Sequence, residues 1–178
     1  LINAEIKNAM AGRKANIMLK MNSFSDEILI QKLYDAATAG VDIKMVVRGI
    51  FCAVTDIKKF RSPIQAVSIV DEYLEHARIM IFQNGGKEKV FISSADWMVR
   101  NLDHRVEVAC PITDPEIMQE LKDILDIQLR DNVKARLLSN NLSNEYVPTK
   151  GKQVRSQIET YQYLLSKTVK KAPRATVV

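Results

Sequence analysis

His76 and Arg78 stand one residue apart, the turn Ser93-Ser94-Ala95-Asp96 follows, and Arg105 and Glu107 repeat the one-residue spacing. Imidazole, guanidinium, hydroxyl and carboxylate groups gathered in this way suit the handling of a phosphate. If His76 and Arg78 lie on a strand, both side chains leave the same face. Ile79 to Phe82 is apolar, Asn84-Gly85-Gly86 supplies the φ > 0 residues of a tight hairpin, and Lys89 to Ile92 returns, delivering Ser93, Ser94 and Asp96 near the level of His76. A third strand from Arg105 to Cys110 would put Arg105 and Glu107 on one face, Val106 and Val108 on the other. Three strands would then converge on one polar pocket.

A lone histidine is more often structural than catalytic, but here the neighbours decide. Arg78 on the same face, Arg48 at a strand end and the Ser93-Ser94 hydroxyls all offer donors to phosphate oxygens. An imidazole can give a proton to a departing phosphate oxygen or accept the phosphoryl group itself. His76 is therefore the candidate catalytic residue. Bound phosphate would favour its charged form, and the nearby arginines would oppose it. His104 should leave the opposite face of its strand and reads as structural or supporting. Asp96 is expected to orient a neighbouring arginine, Glu107 to pair with Arg105 or anchor the site from behind, and Trp97 to be a core or lid aromatic rather than a stacking platform.

These groups need elements to hold them. Residues 1–11 read as a helix with Ile2, Ile6, Ala9 and Met10 on one stripe and Gly12 as its stop. Ala15 to Met21 is a strand, Ser23 or Ser25 caps a helix from Asp26 to Ala39 with Ile28, Leu29, Leu33 and Ala36-Ala37 inward, and Val41 to Val47 is a second strand. Strand, helix and strand with short connections make a parallel βαβ unit. Ligands of such sheets gather at the carboxyl ends of the strands, where Lys20, Asn22 and Arg48 stand. A charged loop spans 50–63, Ala66 to Val70 is a short strand, and Asp71 to Glu75 leads into His76. Asp114 caps a helix from Pro115 to about Leu129. A polar linker at 144–151 precedes a closing amphipathic helix, Gln153 to Val169, with Ile158, Tyr161, Leu164 and Leu165 on its apolar side.

With 178 residues, 47% hydrophobic and 26% charged, the chain can build one substantial core. Neither disorder nor a membrane-spanning body is indicated. The start at Leu1, without Met and without a basic and apolar leader, suggests a piece cut from a longer polypeptide. Cys52 and Cys110 have no His or Cys at metal-ligand spacing and read as reduced, buried thiols of a cytoplasmic protein. A formal charge of +5 and a pI near 9.2 favour anionic partners. Lys134, Arg136, Lys150, Lys152, Arg155, Lys167, Lys170, Lys171 and Arg174 crowd the last third, suiting a polyanion, an acidic neighbouring domain or plain solvation. Neither a P-loop, nor Gly-x-Gly-x-x-Gly, nor a metal-ligand cluster is present, so catalytic electrostatics must come from Arg and Lys, with any metal arriving on the substrate.

His76-x-Arg78, Ser93-Ser94-Ala-Asp96 and Arg105-x-Glu107 resemble a degenerate half of the phospholipase D pattern. More closely, Leu19-Lys-Met-Asn-Ser23, Val46-Val-Arg-Gly-Ile50, Ser68 through His76, Ile81-Phe-Gln-Asn-Gly-Gly86, Ser93 through Met98, Val133-Lys-Ala-Arg136 and Tyr146-Val-Pro148 resemble the C-terminal domain of polyphosphate kinases. The loop after Ile50, Phe51-Cys52-Ala53-Val54, departs from that pattern.

The resemblance implies an α/β fold, a phospholipase D-like mixed sheet flanked by helices with a C-terminal helix, over 1–145, and a linker and helix over 146–178 beside it. It implies a bacterial enzyme that reversibly transfers the γ-phosphate of ATP to inorganic polyphosphate, with a phosphohistidine on a preceding domain absent from this chain, so that the chain alone is expected to be inactive. Arg48 would contact nucleotide phosphates and His76 would assist transfer or bind the nucleotide. Around them Arg78, Lys20, Asn22, Ser93, Ser94 and Arg105 are expected to bind nucleotide or phosphate. Mg2+ would come with ATP, held by no ligand cluster of this chain. Expected partners are ATP or ADP, polyphosphate, the upstream domains and a second copy of the enzyme, and not nucleic acid; the expected location is cytoplasmic, with peripheral membrane association allowed. The alternatives are a phospholipase D-type phosphodiesterase, which needs its own His–Lys pair and a second half-site, and a non-catalytic basic polyanion-binding module, against which the low aromatic content speaks.

Overall fold

The computed structural model describes residues 1–149 and 151–171. A seven-stranded mixed sheet runs through the molecule: β1 (Asn16–Met21), β2 (Asp42–Val47), β3 (Gln65–Ile69), β4 (Ile79–Phe82), β5 (Lys89–Ser93), β6 (Ala109–Ile112) and β7 (Ala135–Leu137), in the order β6-β5-β4-β1-β2-β3-β7. β1, β2 and β3 are parallel and the remaining pairs antiparallel. Alternation assigns the faces. Ile17, Leu19, Met21, Ile43, Met45 and Val47 pack beneath α1 (Ile2–Met10) and α2 (Glu27–Ala39), while Val46, Ile69, Ile79, Ile81 and Val90 pack beneath α4 (Pro115–Leu129).

The β1-α2-β2 unit forms as expected. The cap of α2 is Asp26, whose carboxylate accepts the Leu29 N–H at 2.9 Å, rather than Ser23 or Ser25. Ile28 and Met10, expected inward, are solvent-exposed, whereas Leu33, Ala36 and Ala37 are fully buried. Between β4 and β5 the chain makes a 3-10 turn at Asn84–Gly86 with φ of +47°, +64° and +90° at its three residues. Glu5 of α1, fully buried, accepts the N–H groups of Asn16 and Asn84, fixing the helix to the amino end of β1 and to this hairpin. Asp114 caps α4 through Glu116 and Ile117, with Pro115 in its first turn.

Three expectations about the periphery change. β6 begins at Ala109, not Arg105: its ladder with β5 ends at the pair Ser93 and Ala109, one further backbone bond runs from the Ser94 N–H to the Val108 carbonyl at 3.0 Å, and residues 105–107 add no ladder bond; Val106 is fully exposed. Cys52 and Cys110 are free but exposed, Cys110 on an edge strand whose outer face the described residues leave uncovered. The apolar side of α5 (Ser156–Lys171) is also exposed at Ile158, Tyr161, Leu164 and Leu165. It holds α4 through polar contacts, Tyr163 to Asp123 at 2.6 Å and Lys167 to Glu120 at 3.2 Å. The amino end of α5 is held firmly: buried Asp131 accepts the N–H groups of Val133, Lys134, Ala135 and Ser156, and Arg155 grips Asp71 with two bonds of 2.8 Å. The basic cluster is thereby largely spent on internal partners, with Lys134 near Asp71, Lys152 near Glu159 and Arg136 over the Tyr146 ring. The side chains of Lys150, Lys170, Lys171 and Arg174 lie outside the described residues.

Candidate active site

The topology collects one set of polar residues at one end of the sheet. Parallel β1 and β2 finish there, antiparallel β4 begins there and β5 ends there, so the segments carrying Asn22, Arg48, Arg78 and Ser93 meet. The turn after β5 is drawn into this end by Trp97, which is buried edge-on against Phe24 at 5.7 Å between ring centroids. Fully burying such a ring contributes roughly 1.5–3 kcal/mol. Backbone bonds of 2.9 Å from the N–H groups of Ser25 and Asp26 to the Trp97 carbonyl add to the anchor. Trp97 is thus a core aromatic, and its role is to seat the residue before it.

That residue is Asp96, 2% exposed. Its Oδ1 accepts the backbone N–H of Asn22 at 2.7 Å and of Ser23 at 3.1 Å, and Arg78 Nε at 3.0 Å; its Oδ2 accepts Arg78 Nη2 at 3.1 Å. Burial pushes this carboxyl up, but the bonds from Arg78, Asn22 and Ser23 outweigh it and hold it below the usual carboxylate range. Arg78 also reaches His76, with Nη2 3.0 Å from the ring Nε2 and Nη1 3.3 Å from the backbone carbonyl. His76 itself is exposed to solvent. Neither His76 nor Arg78 is on a strand, since β4 starts at Ile79; the two meet through the guanidinium instead of through a shared strand face.

On the other side of Asp96, Asn22 turns its Oδ1 to Arg48, accepting from Nε at 2.9 Å and from Nη2. Gly49 lets the two strand ends close together: its N–H meets the Asn22 carbonyl at 2.7 Å, and a Cβ there would lie 3.0 Å from that same oxygen. Of the five N–H bonds of Arg48, three remain without an acceptor among the described residues, two of them on Nη1. Arg48, Asn22, Asp96, Arg78 and His76 therefore form one connected network, with a half-buried guanidinium at one end and an exposed imidazole at the other.

The other expected site residues are committed to different partners. Lys20, 4% exposed, faces the α4 side of the sheet and pairs at 2.8 Å with Glu75, which also accepts from Gln128. Ser93 donates to the Val108 carbonyl, and Ser94 donates to Glu107 while accepting the Val108 N–H, so both hydroxyl protons are committed. Glu107 is held by Ser94 and Asn101, which lower its pKa in that order, while Arg105 acts on it only through space from an exposed loop. His104 is exposed on that same loop. Sequence reasoning gave no role to Gln128, which lies outside every motif, or to Glu75 beside His76, and gave Asp96 only a supporting role. No group of three or more His, Cys, Asp or Glu side chains among the described residues is placed to hold a metal ion. No helix among them is long and apolar enough to cross a membrane.

Comparison with known proteins places this geometry. The polyphosphate kinase of Vibrio parahaemolyticus is 47% identical over 175 residues, 98% of this chain and 25% of that protein, and that of Escherichia coli K12 is 45% identical over 167 residues, 93% of this chain and 24% of that protein. The chain thus spans about a quarter of the length of the curated relatives it matches. The crystal structure of a polyphosphate kinase from Porphyromonas gingivalis superposes on 95% of the chain, using 26% of its own, with a TM-score of 0.91 and 49% identity. Nuc from Salmonella typhimurium, a phospholipase D family member, shares the fold at a TM-score of 0.55 and 17% identity, over 78% of this chain and 91% of its own. The mixed sheet with helices on both faces is accordingly the phospholipase D-like fold expected from the motifs. The family model for polyphosphate kinase C-terminal domain 2 matches residues 1–157, carrying the whole network from Asn22 to Asp96, and the chain belongs to that family.

Proposed function

We propose that this chain is a C-terminal catalytic-domain fragment of a polyphosphate kinase, in which the γ-phosphate of ATP is passed reversibly to the end of a polyphosphate chain. The observation that carries this reading is the connection of Arg48 to His76 through Asn22, Asp96 and Arg78 at the carboxyl ends of β1 and β2. Phosphoryl transfer is mainly positioning and charge stabilisation. Arg48, with three free N–H donors, suits the bidentate binding of phosphate oxygens, and His76, exposed and oriented, suits a hydrogen bond or proton to the transferred group. Mg2+ belongs to the substrate here, entering with ATP. The phosphohistidine that passes the phosphate on belongs, in this reading, to a preceding segment of a longer polypeptide in the cytoplasm.

The test is to incubate the full-length parent with ATP and assay acid-labile protein phosphate and long-chain polyphosphate; both are expected. Arg48→Ala in that parent should weaken ATP and transition-state binding together by about 1.5–3 kcal/mol, the worth of a charge-assisted contact, and Arg48→Lys should restore only part, lacking the fork. A phosphodiesterase or a pure polyanion binder would yield neither product, and unchanged kinetics in Arg48→Ala would remove Arg48 from the site.

A further inference from the structure

The two arginines of the network differ in what they have left to offer. Arg78 spends four of its five N–H bonds inside the chain: Nε and one Nη2 proton on Asp96, the other Nη2 proton on His76 Nε2, and one Nη1 proton on the His76 carbonyl. Its charge is already met by Asp96, and a single N–H cannot clamp a phosphate bidentately. Arg48 spends two on a neutral amide oxygen and keeps three. The contact between Arg78 and His76 has a second consequence. A guanidinium can only donate, so Nε2 must present its lone pair, and the neutral ring then carries its proton on Nδ1. In a free imidazole side chain in water the proton favours Nε2.

We propose that Asp96 and Arg78 are positioning residues that fix His76 in its Nδ1–H tautomer, so that Nδ1–H is the group presented to the phosphate, while Arg48 is the arginine that binds phosphate charge. The assignment of the donor to a phosphate rests on the phosphoryl-transfer reading above; the tautomer does not. Asp96 acts at both ends. It holds Arg78 against His76, and through the Asn22 and Ser23 N–H groups it holds the strand end whose Asn22 side chain aims Arg48. One buried carboxylate thus sets the spacing between the phosphate-binding arm and the proton-bearing ring.

The chain has only two histidines, so nitrogen-15 NMR of histidine-labelled protein at neutral pH reads the tautomer directly, with exposed His104 as the internal comparison. The expected result is a protonated Nδ1 and a lone-pair Nε2 for His76, and a majority of Nε2–H for His104. Arg78→Lys keeps a positive partner for Asp96 and so preserves the fold, but it cannot span Asp96 and His76 together; it should return His76 to the Nε2–H majority, and Asp96→Asn should act in the same direction. A wild-type His76 protonated on Nε2, or one unmoved by Arg78→Lys, overturns the proposal. In the full-length parent, Arg78→Lys should lower kcat for polyphosphate synthesis by about ten- to a hundredfold, the loss typical of a misplaced reacting group, with the ATP KM little changed. Arg48→Lys should act chiefly on KM. If both substitutions raise the ATP KM alike, the division of labour between the arginines is wrong, and a parent that makes no polyphosphate overturns the functional reading while the NMR result stands by itself.

Discussion

Replacing Asp96 by Asn exchanges a single heavy atom, yet the structure assigns it a large cost. An asparagine that keeps its carbonyl at the Oδ1 position still accepts from Asn22, Ser23 and Arg78 Nε, but as a neutral acceptor. Charge-assisted bonds contribute about 1.5–3 kcal/mol and neutral ones about 0.5–1.5, so these three weaken by about 1 kcal/mol each. The amide nitrogen then faces Arg78 Nη2, donor against donor, and the fourth bond is lost. Solvent compensates little, because the Arg78 and Asp96 side chains are only 14% and 3% exposed. The bonds are not independent, and a total of about 3–5 kcal/mol agrees with what removing one charge of a buried pair costs. Urea unfolding should show a lower midpoint with an unchanged slope. The difference should also depend on pH. The folded carboxyl is depressed below 3.8, so the wild type holds its full advantage above that value and loses it as pH falls through the depressed one. A loss under about 1 kcal/mol at neutral pH, or a gap that widens on acidification, would refute the account of Asp96 as the keystone of this end of the sheet.

Three further perturbations probe the surroundings. Gly49→Ala would put a Cβ 3.0 Å from the Asn22 carbonyl and 3.4 Å from Ser23 Oγ, pushing Asn22 away from Arg48; the expected readout is a several-fold higher ATP KM in the full-length parent with the domain still folded. Lys20→Met leaves the partly buried Glu75 with Gln128 as its hydrogen-bond donor and should cost about 2–3 kcal/mol in thermal unfolding, recovered in part by adding Glu75→Gln. Arg155→Ala frees Asp71 and Glu72 from the start of α5, and hydrogen exchange of the first-turn amides of that helix should speed up. The hydrogen bond from Arg155 is the main cause of the depressed Asp71 pKa, so wild-type protein should show the same loosening only as pH falls below 3.8.

Where the sequence pattern was strong and a partner lay nearby in the chain, the fold was legible. Ile17, Leu19 and Met21 alternate, Leu33 and Ala36-Ala37 recur at helical spacing, and the intervening connections are too short for any arrangement but a βαβ unit. Legibility failed at the edges for physical reasons. Arg105-Val106-Glu107-Val108 alternates as well as any strand, but alternation reports only a chain able to form a ladder, and pairing past the end of β5 goes no further than one bond from the Ser94 N–H to the Val108 carbonyl. β7 went unread because Ala135–Leu137 has three residues and depends for its existence on β3 beside it and on Asp131, which takes the N–H groups of Val133 to Ala135. The apolar side of α5 predicted burial that the described residues do not provide.

The candidate site was legible as a list and not as a division of roles. Residue types and strand-end positions single out His76, Arg48, Arg78 and Asn22, since each is a phosphate donor by chemistry. They single out Lys20, Ser93, Ser94 and Arg105 on the same grounds, and for these the chemistry is spent or loosely held: Lys20 on Glu75, the two serines on Val108 and Glu107, Arg105 on an exposed loop. What separates a binding group from a holding group is how many donors it has left after its own chain has been served. That number follows from contacts between residues 22 and 48, and between 78 and 96, whose separations no motif encodes. It leaves Arg48 with three N–H bonds to give and Arg78 with one, and so turns two arginines of equal promise in the sequence into one that meets the phosphate and one that aims the histidine.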